Sequence, residues 1–307
     1  MKTTIYCPDI ECDSCVKVLK KTFDGMQGIN NLNIKKEHLD VEYEEAMIKP
    51  ESIVQMIKEK GYRAALQPFT RKTFKERSRD FFANKHKYEL EHRMIIFTAI
   101  TFVLLMIIEY FTYFLLFRDD PVFLTKYGVW FLYATISTVF LSAAVWHINA
   151  YKANVTHMVG MMIGMTFGMQ TGLLIGSIIG ATNGMFIGSI VGMLFGVFVG
   201  WMNGKCCGVM GVMEGTMAGI MGGTMGAMIS VMMLSDNLLL FMPVFIIVNI
   251  FVLLGLSYML YEEVVENNEN VKKIPADFAA FFSYCFVVLF LLGLIIIYGY
   301  KSAFVAL

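Results

Sequence analysis

Residues 160–180 read GMMIGMTFGMQTGLLIGSIIG, with glycine at every fourth position. The same spacing continues without interruption to Gly208, and a second four-residue register runs from Gly211 to Gly223. Nineteen of the chain's 26 glycines lie between residues 158 and 233, together with sixteen of its 24 methionines. The physical behaviour of this glycine- and methionine-rich stretch decides how the rest of the chain is organised.

Such a stretch would form a poor helix in water, because each glycine costs roughly 0.5–1 kcal/mol relative to alanine. In lipid, backbone polar groups must be satisfied within the segment, so an apolar run becomes helical. Glycine at every fourth position then forms a ridge without side chains, which lets helices pack closely. This ridge turns by about 40° per step at 3.6 residues per turn, so the run must break into shorter helices. The predicted packing glycines are Gly160, Gly164, Gly168, Gly172, Gly176, Gly180, Gly184, Gly188, Gly192, Gly196 and Gly200.

The composition is that of a membrane protein, with 57% hydrophobic and 16% charged residues. Most of the charged residues lie before residue 94. We therefore predict a head at 1–67, a basic amphipathic linker helix at 68–93 and an all-α polytopic transmembrane domain at 94–307. The core of that last domain is the stretch 157–233.

Seven apolar spans of about 20 residues each can be drawn in the transmembrane domain. Placing the basic linker in the cytoplasm makes the loop charges alternate as expected for an N-in, C-out protein. Spans three to five are predicted to pack as a glycine zipper. The protein is thus predicted to be integral to the plasma membrane, with a cytosolic N-terminal domain. The spans are 94–117, 127–147, 158–180, 183–203, 208–233, 237–262 and 277–300.

The head shows the pattern of a ferredoxin-like α+β sandwich, βαββαβ. Apolar residues alternate in its predicted strands and recur at helical spacing in its predicted helices. Pro50 and Gly61 bound the second helix. The predicted strands are 2–6, 29–34, 39–43 and 62–66, and the predicted helices are 16–23 and 51–60.

The head resembles the heavy-metal-associated domain family, which includes copper chaperones and the N-terminal domains of metal-pumping P-type ATPases. The resemblance rests on the element order, the C-x-x-C of Cys12 and Cys15 at the first loop–helix junction, and the pair Gly61–Tyr62. It implies that Cys12 and Cys15 bind a soft or borderline ion as thiolates, most often Cu(I).

The physical chemistry of the C-x-x-C agrees, because two thiolates two residues apart reach one ion and a helix N-terminus lowers their pKa. The family usually has methionine at the position of Ile10. Acidic Glu11 and Asp13 flank Cys12, and oxygen ligands favour Zn(II). Zn(II) and Hg(II) are therefore alternatives to Cu(I) as the bound ion. A structural or redox function is an alternative role for the C-x-x-C.

The fifth span carries a stripe of methionines on one side of the helix, away from its glycines, and Glu214 lies inside the stripe. Thioethers are soft ligands that favour Cu(I), although methionine also fills irregular gaps in apolar packing. The candidate path residues are Met161, Met165, Met213, Glu214, Met217, Met221 and Met225. The candidate cytoplasmic mouth is formed by Cys206, Cys207, His157 and Met158.

The pattern M-x-x-x-M beside G-x-x-x-G is similar, at the level of motifs only, to the eukaryotic high-affinity copper transporters, which have three spans. The chain has no D-K-T-G and no intramembrane C-P-C, so it is not a P-type ATPase. It has no G-x-x-x-x-G-K-[ST] for ATP and no recognisable acid–base–nucleophile arrangement, so an enzyme is not expected.

We therefore predict a membrane transporter for a soft heavy-metal ion, Cu(I) first, with metal passing between the head and a methionine-lined path. The expected partners are the metal ion, the lipid bilayer, further copies of the chain and a soluble metal chaperone, but no nucleic acid. One alternative is a metal-gated ion channel or membrane metal sensor. Another is a non-transporting oligomeric membrane protein with a metal-binding head.

Overall fold

The computed structural model describes residues 1–10, 13–24, 28–44, 47–60, 62–68, 76, 79, 88–118, 123–152, 157–262, 272–274 and 277–302. The chain divides into two compact units, one built mainly from residues 1–85 and the other from 86–152, 157–261 and 272–307. They are called the head and the body below. Most of the linker helix predicted at 68–93 lies outside the described residues, and its last five residues, 89–93, belong instead to the first long helix of the body.

The head is a three-stranded antiparallel sheet with two helices. Strand β3 lies in the centre, between β1 and β2. Both helices turn apolar side chains to the sheet, and Leu19, Ile53 and Ile57 are completely buried beside Leu39 and Val41. The elements are β1 (Lys2–Tyr6), α1 (Asp13–Phe23), β2 (Ile29–Lys35), β3 (His38–Tyr43) and α2 (Pro50–Glu59).

The fourth strand predicted at 62–66 is reduced to a single bridge. Tyr6 and Ala65 exchange both backbone hydrogen bonds, at 2.9 and 3.0 Å. The backbone N–H of Arg63 donates instead to the carboxylate of Asp9, at 2.7 Å. The segment therefore runs along the edge of β1 without extending the ladder, and the predicted βαββαβ pattern is correct except for this last strand.

The body consists of long apolar helices. A short π-helical turn at Leu124–Gly128 precedes the second of them. A two-residue pairing joins β4 (Tyr151–Lys152) to β5 (Lys272–Lys273). The long helices are α3 (Glu89–Leu116), α4 (Val129–Ala150), α5 (His157–Asn183), α6 (Met185–Gly204), α7 (Gly208–Met232), α8 (Leu238–Leu260) and α9 (Phe278–Tyr298).

Six helical stretches among the described residues are long and apolar enough to cross a membrane. The longest, Met185–Ser235, contains both α6 and α7, which a single turn of 3₁₀-helix at Lys205–Cys207 separates. The helices lie where the apolar spans were predicted, with ends that differ by a few residues. The seven crossings and the N-in, C-out orientation stay predictions.

Helices α5, α6 and α7 meet at their glycines. A Cβ atom added to Gly172 would lie 2.5 Å from the backbone nitrogen of Gly223, and one added to Gly192 would lie 2.7 Å from the Cα of Gly176. Glycines later in α5 contact residues that are later in α7 but earlier in α6. Helices α5 and α7 are therefore parallel, and α6 is antiparallel to both. The centre of this three-helix group is therefore filled by backbone.

The long glycine run breaks at two positions where the chain reverses. Gly184 is the single residue between α5 and α6 and has φ of 101°. Gly208 is the first residue of α7 and has φ of 70°. Such backbone conformations are accessible to glycine at little cost but strained for other residues. The four-residue spacing thus supplies both the packing faces and the turns between them.

We expect Gly196→Ala to destabilise the body, because a Cβ there would lie 2.9 Å from the carbonyl oxygens of both Gly168 and Gly219. Overpacking of this kind costs roughly 1–3 kcal/mol. The matched control is Gly255→Ala in α8, where nothing lies within 4 Å of the added atom. Thermal unfolding in detergent should show a lower midpoint for the first variant and no loss for the second. Equal midpoints would contradict this account of the packing.

Candidate metal centres

The predicted C-x-x-C lies where strand β1 gives way to helix α1. Cys15 is in the first helical turn, since α1 begins at Asp13. Cys12 and the side chain of Cys15 lie outside the described part of the head. The position fits thiolate chemistry, because the amide groups at a helix N-terminus stabilise a negative sulfur.

The loop before Cys12 is held by a buried ion pair that the sequence did not reveal. Arg63 donates to Asp9 through its side chain at 2.5 and 2.9 Å and through its backbone N–H at 2.7 Å. Both side chains are largely buried. The two residues lie 54 positions apart, so no local pattern could indicate their pairing. The clamp fixes the loop against the segment that follows α2.

Two side chains of this loop lie in the core of the head rather than at its surface. Cys7 and Ile10 are almost completely buried and pack with Ile5 and Leu19. Ile10, at the position where the family usually has methionine, therefore contributes to packing. The thiol of Cys7 is buried in the same cluster.

A second pair of cysteines occupies the turn between α6 and α7. The sulfur atoms of Cys206 and Cys207 lie 3.6 Å apart, and Cys206 donates to the carbonyl of Asn203 at 3.3 Å. Two sulfurs bound to one ion at 2.3 Å and a tetrahedral angle lie roughly 3.8 Å apart, so the pair can hold one soft ion with little adjustment. Cys206 is exposed and Cys207 is buried.

The cysteine pair packs against a glycine of α5. The sulfur of Cys207 sits directly over Gly160, in the space that a side chain there would fill, and that of Cys206 is also close. The predicted mouth is thus brought together in part: the two thiols meet the first turns of α5. Met158 is exposed, and the side chain of His157 lies outside the described part. Among the described side chains, no group of three or more His, Cys, Asp or Glu could hold a metal ion.

The methionines of α7 face outward from the three-helix group. Met213, Met217 and Met221 are 57%, 59% and 54% exposed, whereas the glycines of the same helix after Gly208 are buried. Met225 and, on α5, Met165 are also exposed, and Met161 is half-buried. The two methionine groups therefore do not line a common space inside one chain, because backbone occupies the space between their helices.

Glu214 lies half-buried between these methionines. Its carboxylate makes no hydrogen bond or ion pair with any described residue, although it belongs to a helix apolar enough to cross a membrane. The outer surface of α7 thus combines soft thioethers with one carboxylate that has no partner among the described residues.

Comparison with known proteins identifies the head. Residues 4–63 match the model of the heavy-metal-associated domain family. A search of curated proteins returned no match, and a search of solved structures returned none either. The head is therefore a heavy-metal-associated domain, as its sequence predicted, and the likeness covers no part of the helical body.

We expect Gly160→Ala to expel the sulfur of Cys207 from its present position, since the added methyl group would overlap it. With Cys206 replaced by serine in both backgrounds, Cys207 should then react faster with a maleimide reagent. Buried Cys285 serves as the internal control and should react as before. An unchanged rate at Cys207 would show that Gly160 does not hold this sulfur in place.

Proposed function

We propose that the protein moves a soft metal ion, Cu(I) before Zn(II) or Hg(II), across the membrane in which its helical body is inserted. One observation carries this proposal. The heavy-metal-associated head and the exposed methionine face of α7 belong to the same chain. Thiolate in the head and thioether in the body are both ligands that select soft ions. An ion accepted by one can therefore be passed to the other by ligand exchange.

The packing of the body argues for a path on the outer face of α7. Backbone contacts close the centre of the group formed by α5, α6 and α7. A carboxylate at the centre of a membrane costs roughly 2.5–3.5 kcal/mol on insertion scales, and such groups normally face the interior of a bundle. A second copy of the chain, docked on this face, would remove Glu214 from lipid. The methionine faces of the copies would then enclose the path between them.

The spacing of the ligands suits stepwise movement. Met213, Met217, Met221 and Met225 follow one another at four-residue intervals, which is roughly 6 Å along a helix. Thioethers are neutral and bind weakly enough for exchange, and Glu214 would balance the charge of the ion. The cysteine pair at the start of α7 would receive the ion from a head on the cytoplasmic side. The same cysteines, methionines and carboxylate would serve either export or import of the ion.

The path is tested by replacing thioethers without changing packing volume. We expect Met217→Leu with Met221→Leu to lower Cu(I) flux into proteoliposomes by at least about tenfold, equivalent to about 1.4 kcal/mol of barrier. Leucine is close to methionine in volume, so stability should change little. The matched control is Met185→Leu with Met202→Leu, two exposed methionines of α6. Equal flux in both double variants would exclude the methionine path.

A head variant in the same assay separates transport from gating. Cys12→Ser with Cys15→Ser should lower Cu(I) flux at low free Cu(I), because capture by the head is lost while the path stays intact. A metal-gated channel would instead keep its own ion current and lose only the response to Cu(I).

The second copy is tested by photo-crosslinking. A photoreactive phenylalanine analogue at Met217 should crosslink one copy to another in lipid nanodiscs, because this face is predicted to be covered. The same analogue at Leu194, which is 65% exposed on α6, should crosslink to lipid only. Mass spectrometry of the products distinguishes the two results. Lipid adducts alone at both positions would contradict an interface on α7.

A further inference from the structure

A carboxyl group of α3 meets a threonine hydroxyl of α4 inside the apolar part of the body. The hydroxyl of Thr135, which is completely buried, donates to the carboxylate of Glu109. Glu109 is itself partly buried, and it lies about two turns, roughly 10 Å, before the end of α3 at Leu116. A carboxylate inside a membrane helix is costly and normally serves a function.

The hydroxyl of Thr135 has two acceptors within reach. Besides Glu109, it lies 3.0 Å from the backbone carbonyl oxygen of Phe131, one turn earlier in α4. A hydroxyl group carries one hydrogen and two acceptor lone pairs, so it donates fully to only one of these oxygens at a time. The carbonyl of Phe131 also accepts the backbone bond of its own helix and does not depend on Thr135. The hydroxyl can therefore turn toward either oxygen.

This arrangement satisfies Glu109 in both of its protonation states. When the carboxyl group is ionised, Thr135 donates to it. When it is protonated, its own O–H can donate to the oxygen of Thr135, whose hydrogen then turns to Phe131. One rotation of a hydroxyl group separates the two arrangements, and neither leaves the hydroxyl without a hydrogen bond. A site that exchanges a proton in apolar surroundings needs such a partner, because a buried polar group without one is destabilising.

Other polar groups of the apolar helices lack this double arrangement. Thr98 and Thr112 of α3 donate to the backbone carbonyls four residues earlier, at 2.7 and 2.8 Å, which is a common way to satisfy a hydroxyl in a helix. The carboxylate of Glu214 in α7 has no hydrogen-bond partner among the described residues. Glu109 is thus the carboxyl group whose two protonation states a single chain accommodates.

The surroundings of Glu109 contain no competing charge. No charged side chain among the described residues acts on it. On α3, the ring of Tyr113, one turn away, stacks with that of Phe123 at 6.1 Å. On α4, Tyr133 donates to the backbone of Leu239 in α8. The nearby part of α9, residues 286–297, is entirely apolar apart from one glycine.

The ligand that suits this site is a proton rather than a metal ion. One carboxylate and one hydroxyl offer only oxygen, without the sulfur or imidazole nitrogen that soft and borderline ions select. Two protein ligands also fall short of the three or four that hold a bound transition metal. A proton needs one carboxyl oxygen and one hydrogen-bond partner, and Glu109 with Thr135 provides both.

Helix α4 connects this site with the turn that carries the cysteine pair. Asn149, about four turns beyond Thr135, donates to the side chain of Asn203 in α6 at 3.4 Å. The backbone carbonyl of Asn203 in turn accepts from the thiol of Cys206 at 3.3 Å. A change in the contact between α3 and α4 can therefore reach the cysteines through a displacement of one packed helix.

We propose that Glu109 is the proton-binding group through which a pH gradient drives metal transport, with Thr135 as the positioning hydroxyl that serves both protonation states. The coupling to metal rests on the function proposed above, whereas the binding of the proton does not. The proton comes from water and returns to water. Only the O–H bond of the carboxyl group forms and breaks, and the hydroxyl of Thr135 returns to its starting orientation in each cycle.

A chemical label tests proton binding without any flux measurement. A hydrophobic carbodiimide reacts with protonated carboxyl groups inside membranes, so it should modify Glu109 of the full chain in proteoliposomes, and less so as the pH rises. Peptide mass mapping locates the adduct. Glu89, which is exposed in the first turn of α3, is the internal control and should stay unmodified at neutral pH. An unmodified Glu109 at every pH at which the protein stays folded would overturn the proposal.

Variants of Thr135 test its part in the site. Thr135→Val should extend labelling of Glu109 to higher pH by about one unit, because the ionised carboxylate loses its hydrogen-bond donor. Thr135→Ser keeps the hydroxyl and should restore the original pH profile. Thr112→Val is the matched control, since this exposed hydroxyl bonds to its own helix, and should leave the profile unchanged. An identical profile in Thr135→Val and the unmodified protein would overturn the role of Thr135.

The coupling is tested by the accumulation of Cu(I) in proteoliposomes with and without an imposed pH gradient. For one proton exchanged per ion, a gradient of about one unit corresponds to about tenfold accumulation, and reversing the gradient should reverse the effect. The ratio of accumulation with and without the gradient should fall to one in Glu109→Gln, which stays neutral, and should be kept in Thr112→Val.

The outcomes separate this proposal from the function on which it rests. A ratio in Glu109→Gln that equals that of the unmodified protein would overturn the coupling, even if the carbodiimide modifies Glu109. An unmodified protein that moves no Cu(I) at all would overturn the transport proposed above and the coupling with it. The carbodiimide profile would then still decide whether Glu109 binds a proton.

Discussion

The body depends on direct contact between helix backbones at glycine. Gly196 of α6 meets Gly168 of α5 and Gly219 of α7, and a single added methyl group would approach the carbonyl oxygens of both to 2.9 Å. Helices can come this close only where side chains are absent. The larger side chains therefore lie around this glycine contact, exposed as for Met217 or buried as for Phe167. The position of the methionines follows from the position of the glycines.

This displacement divides the chemistry of the body between two regions. Sulfur ligands lie on the outer face of α7 and in the turn that follows α6. Oxygen groups lie along α3, where Glu109 accepts a hydrogen bond from Thr135 of α4 and Glu91 accepts one from Tyr151 of β4. Sulfur ligands select soft metal ions, whereas carboxylate oxygen suits harder ones. The two regions therefore differ in the ligand atoms that they offer.

Much of this arrangement could be predicted from sequence, because the dominant forces leave periodic patterns. Apolar runs of about 20 residues gave the long helices, and the four-residue glycine spacing gave the packing of α5, α6 and α7. The C-x-x-C and its surrounding pattern gave the identity of the head, which the family match confirms. Local patterns succeed here because each depends on neighbours within a few turns of helix or along one strand.

What the sequence missed depends on contacts between distant residues. The last strand of the head is a single bridge because Asp9 captures the backbone N–H of Arg63, 54 residues away. A helical stripe shows that methionines share a side of α7 but not whether that side faces a neighbour. The hydroxyls of Thr98 and Thr101 look alike in the sequence, yet only the first bonds to its own helix. Such differences arise from tertiary packing, which periodicity does not encode.

The carboxylates of Glu109 and Glu214, both in apolar helices, differ in whether one chain gives them a hydrogen-bond partner. Glu109 accepts a hydrogen bond from Thr135 on the adjoining helix, so the fold of one chain already provides for it. Glu214 lies on the outer face of α7 with no such neighbour among the described residues. A lone carboxylate toward lipid is unfavourable, whereas the same group between two copies can be hydrated or can balance a cation. The assembly proposed above should therefore change the surroundings of Glu214 and leave those of Glu109 unchanged.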